Sequence, residues 1–179
     1  IPALQFIKTL IGNEPVLSPA QRFYQRLVAD DVDDAMQVAN DFIHTDLPKN
    51  PSDEVIARRV TTFYEDVAIP AIRIYSQGHN TEVTAEHRLR LHHGLKFFNH
   101  AIQTTYPSSV QQDQPEVLCI GARWEIDAHL SAMLAHAMNL RGISAQSRAQ
   151  VMIQAAQTQA DPLPVSVKVL CISIFHQTP

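Results

Sequence analysis

The sequence predicts an α+α/β chain, in which an N-terminal helical bundle precedes a small parallel sheet with helices. Apolar residues recur at helical spacing along most of residues 1–106. Residues 117–142 then form a short apolar run, a glycine turn and an amphipathic run, which is typical of the opening of a β-α-β unit. The tetrad at 117–120, Val-Leu-Cys-Ile, returns at 169–172. This repeat predicts two strands of one sheet, both buried on both faces.

The first half of the chain predicts four helices after a short apolar segment at residues 1–11. Each helix has a start signal of a known kind: a capping side chain, a proline at the first position, or acidic residues in the first turn. These signals are Ser18 with Pro19, Asp33 with Asp34, Ser52, and Thr84 with Glu86 and His87. Pro70 lies inside the third helical pattern, so we expect a kink or a break near Ile69.

Each predicted helix has one apolar face that should point to the core. These faces are Phe23, Tyr24, Leu27 and Val28; Ala35, Val38, Ala39, Phe42 and Ile43; Val55, Ile56, Val60, Phe63, Tyr64 and Val67; and Leu91, Leu95, Phe98 and Ile102. Residues 107–115 have no periodic apolar residue and contain two prolines, which is typical of a linker. We therefore predict a helical bundle at 1–106, a linker at 107–115 and an α/β unit at 116–179.

Within the α/β unit we expect strands at 117–120, 143–149 and 165–175, and helices at 126–140 and 151–156. Arg141 would end the longer helix and Gly142 would take the C′ position. Doubly wound sheets have roughly five or six strands, so a three-stranded sheet would leave an open edge. Because the chain also begins at Ile1 without methionine, we expect it to be a piece of a longer protein with an incomplete α/β unit.

Composition excludes several classes of function. The 179 residues are 45 % hydrophobic and 18 % charged, with a net charge of −4, so no strong field attracts nucleic acid or anionic lipid. No apolar run approaches the roughly 18 residues of a membrane helix, so we expect the chain itself to be soluble. Cys119 and Cys171 lie in strand-like runs, which favours two reduced core thiols over a disulfide, although neighbouring strands would bring the sulfurs close.

Motifs for catalysis or metal binding are sparse. There are nine histidines, but His92 and His93 should point to different sides of a helix. His129 and His136 share a helix face, yet no cysteine or carboxylate completes a set of metal ligands at the usual spacing. The chain also lacks a G-x-S-x-G elbow, a P-loop lysine and a G-x-G-x-x-G turn. We therefore predict no metal, no cofactor and no enzymatic activity.

The turn after the first strand is the candidate contact site, because open α/β sheets bind ligands there. Arg123 and Trp124 could form a surface for a small molecule or a partner, with Glu125 and Asp127 beside them. The competing interpretation is that Trp124 packs the junction of strand and helix, while Glu125 or Asp127 occupies the first helical turn.

A helical bundle followed by a Rossmann-like sheet resembles the arrangement of cobalamin-binding modules. The signature of that family is D-x-H-x-x-G after the first strand, and its histidine is the lower cobalt ligand. Asp127 and His129 match the first two positions, whereas Ala132 stands in place of the glycine. If the helices are instead aligned on Gly142, no histidine falls at the ligand position. The resemblance implies a sensor module that binds a small molecule between the bundle and the sheet.

A second resemblance covers nearly the whole chain. Residues 1–6 (IPALQF), 12–15 (GNEP), 19–27 (PAQRFYQRL), 66–71 (DVAIPA), 117–120 (VLCI) and 132–135 (AMLA) are similar to the C-terminal extension of permeases in the bacterial autoinducer-2 exporter family. In that family the first segment directly follows the last membrane helix, and the α/β part continues for further strands. These motifs are structural, so no functional residue is carried over from the family.

This second resemblance implies a non-catalytic regulatory or assembly domain of a small-solute transporter, on the cytoplasmic side of the bacterial inner membrane. The expected partners are the membrane-spanning part of the same protein and further copies of the chain in a homo-oligomer. Nucleic acid is not an expected partner, and a small-molecule ligand at the α/β unit stays an open alternative.

Overall fold

The structure is a computed structural model that describes residues 17–77, 85–110, 114–122, 124–148 and 164–175. Three predicted features lie outside the described residues: the apolar segment 1–11, the helix start at Thr84 and the short helix 151–156. The described residues are helical up to 105 and form a parallel sheet with one helix after 116. The predicted α+α/β class, a helical part followed by a small parallel sheet with a helix, is therefore confirmed.

The described residues of the first half form five α-helices: α1 (Pro19–Val28), α2 (Val32–His44), α3 (Asp53–Phe63), α4 (Ile69–Gln77) and α5 (Ala85–Thr105). Ser18 and Gln21 form a capping box on α1, in which each side chain accepts the backbone N–H of the other residue. Asp31 caps α2 and Ser52 caps α3. Asp30 adopts a left-handed φ of 61°, which turns the chain between α1 and α2.

A π turn, Tyr64–Ala68, joins α3 to α4. The N–H of Ile69 donates to the carbonyl of Tyr64, five residues earlier. Pro70 has no N–H, and its ring would clash with the carbonyl four residues before it in a regular α-helix. One wider turn before the proline relieves this conflict. The interruption predicted near Ile69 is confirmed, and it takes the form of this π turn.

The bundle core centres on three fully buried rings, Phe23, Phe63 and Phe98. The centroid of Phe23 lies 5.3 Å from that of Phe63 and 4.7 Å from that of Phe98, both in edge-to-face geometry. Most predicted inner-face residues are buried here, and Tyr24, Phe42 and Ile56 are partly buried against the same cluster. The local apolar periodicity therefore located the core correctly.

The second half has strands β1 (Val117–Gly121), β2 (Ala145–Arg148) and β3 (Val169–Ser173), with helix α6 (Glu125–Leu140) after β1. The sheet is parallel, in the order β2-β1-β3. The two repeated tetrads pair residue for residue, from Val117 opposite Val169 to Ile120 opposite Ile172. The repeat therefore identified two neighbouring strands.

The end of α6 also follows the prediction. Gly142 has φ +82° at the C′ position. Its N–H donates to the carbonyl of Asn139, and the N–H of Ile143 donates to that of Met138, both at 3.0 Å. This pair of bonds is a Schellman motif, which accounts for the glycine.

The predicted burial of the two tetrads is only half correct. All five residues of β1 are buried. In β3, by contrast, Val169, Leu170 and Ile172 are 50 %, 49 % and 59 % exposed, so the expectation that this strand is buried on both faces is wrong. The reason is the strand order: β1 occupies the centre, and among the described strands β3 has a neighbour on one side only.

Helix α6 connects the two halves. Its residues Ile126 and Met133 belong to the bundle core, whereas Ala135 packs with Val117 and Cys119 of the sheet. The described residues of the predicted linker, 107–110 and 114–115, form no helix or strand. The boundary of the bundle stays a prediction. Across the described ranges, no helix is both long and apolar enough to cross a membrane.

Gly121 permits α6 to approach β1, and its replacement tests this contact. A Cβ at this position would lie 2.4 Å from the backbone N of Ala128 and 2.6 Å from the carbonyl carbon of Asp127. Because backbone atoms cannot move aside cheaply, we expect Gly121→Ala to lower the free energy of unfolding by about 1–3 kcal/mol. Urea denaturation followed by circular dichroism measures this.

The matched control is Gly142→Asn. A Cβ there meets no atom within 4 Å, and asparagine tolerates the left-handed φ of +82°. We expect the control to lose less stability than Gly121→Ala. Equal losses in the two variants would contradict a role for Gly121 in close packing.

Candidate functional site

The turn between β1 and α6 exposes two of its predicted site residues, Trp124 and Glu125, and buries a third, Asp127. Arg123 lies outside the described residues. Trp124 is 68 % exposed, so the interpretation that it packs the junction of strand and helix is wrong. Glu125 and Asp127 do occupy the first turn of α6, as the competing interpretation predicted. Glu125 is exposed, whereas Asp127 is fully buried.

Asp127 holds the carboxyl ends of two strands together. Its Oδ2 accepts the backbone N–H of Trp124 at 3.0 Å, which fixes the start of α6. Its Oδ1 accepts the backbone N–H of Phe175 at 2.7 Å, just beyond the end of β3. A buried carboxylate that accepts backbone N–H groups is stabilised by them. Both oxygens of Asp127 therefore serve the fold.

Two histidines meet where α5 packs against α6. The ring centroids of His92 and His129 are 5.5 Å apart, and Nε2 of His92 lies 3.3 Å from a carboxylate oxygen of Glu125. Burial, the neighbouring His92 and Lys96 lower the pKa of His129 to about 4. Burial likewise lowers the pKa of His92, although Glu125 opposes this. The contact therefore favours neutral rings.

The described part of the chain places no complete set of metal ligands around this histidine pair. Among the described residues, no group of three or more histidine, cysteine, aspartate or glutamate side chains is placed to hold a metal ion. His93, next to His92, points elsewhere and contacts Asp30 at 2.7 Å, as the helical spacing predicted. The free thiols of Cys119 and Cys171 oppose each other on β1 and β3. Burial and the neighbouring Cys171 raise the pKa of Cys119 to about 12, which disfavours its reactive thiolate.

A buried polar chain crosses from the bundle to α6, and sequence reasoning missed it. Nε2 of His136 lies 2.8 Å from the carbonyl of Tyr106, which can only accept, so this nitrogen carries the proton. Nδ1 then accepts from the hydroxyl of Tyr64 at 2.7 Å. Burial lowers the pKa of His136 and raises that of Tyr64. The hydroxyl of Tyr106 continues the chain to Oδ1 of Asn40 at 2.7 Å.

Two sequence signals bear on this polar chain. Pro70 predicted the interruption that became the π turn, and Tyr64 is the first residue of that turn. The spacing of His129 and His136 placed both rings on one face of α6. Neither signal identifies the partner of the histidine, because Tyr64 and His136 are 72 residues apart in the chain.

An open groove of about 460 Å³ lies between α5, α6 and β2. Its lining includes Ala132 and Ala135, and its polar lining residues are His100, Gln103, Thr104, Ser108, His136, Asn139, Gln146 and Ser147. Asn139 is engaged with β2, since its side chain both donates to and accepts from the backbone of Ala145. Among the described residues, the lining contains no lysine, arginine, aspartate or glutamate. Such a groove favours neutral polar molecules over ions.

Comparisons with models of known protein families, with curated proteins and with solved structures gave no match. The geometry of the described residues therefore carries the functional argument.

Asp127 is the predicted site residue whose structural role is easiest to test. We expect Asp127→Asn to destabilise the protein by about 2 kcal/mol, because it replaces a charge-assisted acceptor of two backbone N–H groups with an amide. Glu125→Gln, in the same turn but exposed, should change the free energy of unfolding by less than about 0.5 kcal/mol. Urea denaturation of the two variants checks the difference. A stable Asp127→Asn protein would contradict the structural role.

The buried histidines predict that stability falls in mild acid. The folded pKa of His129, about 4, lies below its ordinary value of 6.5, so the unfolded chain takes up a proton first as pH falls. Its contribution is complete above pH 6.5 and is lost as pH falls towards 4. We expect the free energy of unfolding to drop by about 1 kcal/mol from this group between roughly pH 7.5 and 5.5.

Urea denaturation at several pH values measures this dependence. His129→Gln should flatten the curve, whereas His100→Gln, at an exposed position on α5, should leave its slope unchanged. The remaining slope in His129→Gln should come from His92 and His136, whose pKa values are also lowered. An equal slope in the wild type and His129→Gln would rule out the assigned role of His129.

Proposed function

We propose that the chain is a non-catalytic assembly and regulatory domain of a small-solute transporter, held on the cytoplasmic side of the bacterial inner membrane. The observation that supports this best is the outer edge of β3, where Val169, Leu170 and Ile172 are about half exposed. No charged residue occurs from Val169 to Phe175. An apolar strand edge of this kind suits association with protein better than the chemistry of a reaction.

The polar groups of the candidate site support the non-catalytic part of the proposal. Asp127 and Asn139 bond to backbone, and His136 bonds to a backbone carbonyl and to a buried hydroxyl. A general base must reach a proton of the substrate, so its lone pair cannot be occupied within the fold. These three side chains are better suited to fixing α6 than to catalysis.

We further propose that the α/β unit is Rossmann-like. β1 lies between β2 and β3, so the strand order reverses at the border between β1 and β3. In doubly wound sheets a crevice opens at this reversal, beyond the carboxyl ends of the strands. Here Asp127 bridges those ends through the N–H groups of Trp124 and Phe175. The crevice therefore serves packing in this chain, which again favours an assembly role.

The proposal that this domain belongs to a transporter can be tested on the complete reading frame that encodes the chain. If the proposal is correct, the codons before Ile1 specify several apolar stretches of about 20 residues, the length that spans a bilayer. A frame with no such stretch on either side of the chain would overturn it. Fractionation of cells that express the full frame should then recover the domain with the inner membrane.

A second candidate function is a small-molecule sensor, and the groove between α5, α6 and β2 favours it. Its volume of about 460 Å³ is within the range of small-molecule sites, roughly 300–1,000 Å³. The groove lies between a bundle helix and the α/β unit, where the cobalamin resemblance places a ligand. His129, the possible cobalt ligand of the resemblance, is not among the residues that line this groove. Its ring packs against His92 between α5 and α6.

Two measurements test the sensor candidate. Protein incubated with hydroxocobalamin and then desalted should show no visible absorbance if the assembly role is correct, and retained colour would favour the sensor. For the groove itself, glucose, inositol and nicotinamide serve as neutral probes in calorimetric titrations. Binding that is lost in Gln103→Ala and kept in Gln25→Ala, an exposed position on α1, would locate the ligand in the groove.

A further inference from the structure

The pairing of β1 with β3 brings the two cysteines of the chain together. The sequence contains two cysteines, and both are free thiols. In the parallel register of the sheet, Cys119 stands directly opposite Cys171. Facing residues of neighbouring strands have Cα atoms about 4.8 Å apart and side chains on the same side of the sheet. The two thiols are therefore neighbours, although the residues lie far apart in the sequence.

The surroundings of the pair agree with this contact. Cys171 packs against the apolar cluster that contains Cys119, together with Ala135 and Met138 of α6. A hydrogen bond between the two cysteine side chains is one of the causes that raise the pKa of Cys119. Both thiols thus lie on the side of the sheet that α6 covers. Because the contact is made between β1 and β3, it does not depend on what lies beyond the outer edge of β3.

The spacing of the pair fits a disulfide. Cysteines joined by a disulfide have Cα atoms roughly 4.4–6.8 Å apart, a range that includes the distance of about 4.8 Å between neighbouring strands. A shift of two residues along one strand adds about 6.6 Å, so the Cα distance becomes about 8 Å, which is too long for a disulfide. Among the described positions on this face of β3, only position 171 is therefore within reach of Cys119.

We propose that Cys119 and Cys171 form a redox pair, which is a dithiol in a reducing compartment and is oxidised by hydroperoxides to a disulfide that ties β3 to β1. The free thiols of the structure are the reduced form of this pair. The proposal adds a modification site to the chain and does not depend on the transporter context.

The oxidation has two balanced steps. Because its raised pKa disfavours a thiolate at Cys119, the first step takes place at Cys171. The Sγ of Cys171 attacks a peroxide oxygen, the O–O bond breaks, and the leaving oxygen takes the thiol proton, which gives a sulfenic acid and water or an alcohol. The Sγ of Cys119 then attacks the sulfenic sulfur. The S–S bond forms, the S–O bond breaks, and the hydroxyl group leaves as water with the proton of Cys119.

The position of the pair determines what the disulfide does. Each cysteine is the middle residue of its strand. Among the described strands, β3 pairs with β1 alone. A covalent link at the middle of β3 holds this strand in the sheet, and it also closes a long loop, which restricts the unfolded chain. We therefore expect oxidation to make the α/β unit more resistant to unfolding.

Peptide mapping of the full chain under non-reducing conditions tests the proposal. After folded protein is treated with a small excess of hydrogen peroxide, we expect the peptide with Cys119 to be joined to the peptide with Cys171. The protein should stay monomeric on a non-reducing gel, and dithiothreitol should restore both thiols. Oxidised protein in which the two peptides are not joined, or are joined only between molecules, would overturn the proposal.

A matched variant tests the register of the pair. In Cys171→Ser/Ser173→Cys the second thiol stays on the same face of β3 but stands opposite Gly121. Its Cα then lies about 8 Å from that of Cys119, so we expect the disulfide to form at least tenfold more slowly than in the wild type. Circular dichroism checks that the variant folds. Equal rates in the two proteins would mean that the disulfide does not depend on the native pairing, which contradicts the proposal.

Two further measurements separate the steps of the proposal. In Cys119→Ala the second step cannot occur within the molecule, so dimedone should label a sulfenic acid at Cys171. A peroxide-treated Cys119→Ala protein without this label would overturn the assigned first step. The other measurement needs no variant: the midpoint of urea denaturation should be higher for the oxidised wild type than for the reduced wild type. Equal midpoints would overturn the role of the disulfide in holding β3.

Discussion

The fold depends on helix α6 packing closely on two sides. Towards the sheet, Gly121 lets the helix backbone come within contact of β1, where a side chain would not fit. Towards the bundle, Ile126 and Met133 enter the same core as Phe63 and Phe98. A three-stranded parallel sheet cannot cover its own faces, so it relies on this helix to hold it to the rest of the molecule.

The parts that the sequence predicted well are those with local causes. Ser18 and Ser52 cap their helices through bonds that span three residues, and the apolar stripe of α5 repeats every three or four residues. The tetrad at 117–120 predicted a longer-range pairing, because its repeat at 169–172 is an identical apolar run of strand length. In each case the residues that carry the signal are the residues that make the contact.

The parts that the sequence did not predict depend on what lies across the fold. Trp124 has the size and polarity of a residue that packs between a strand and the following helix. In this structure the junction of β1 and α6 is instead formed by the close backbone contact at Gly121 and the hydrogen bonds of Asp127. β3 has the composition of a central strand, and its position in the order of the described strands makes it an edge among them. The link from Tyr64 to His136 joins residues 72 positions apart, so no local pattern could indicate it.

The distribution of polar and apolar groups bears directly on function. Two polar side chains at and near the candidate site, Asp127 and His136, are buried and bonded within the fold, whereas Glu125 is exposed. Three apolar side chains of β3, Val169, Leu170 and Ile172, are about half exposed, and the strand itself has no charged residue. Burial of apolar surface is the main driving force of association, whereas catalysis requires polar groups that can still reach a substrate. This distribution is the physical basis of the proposed assembly role.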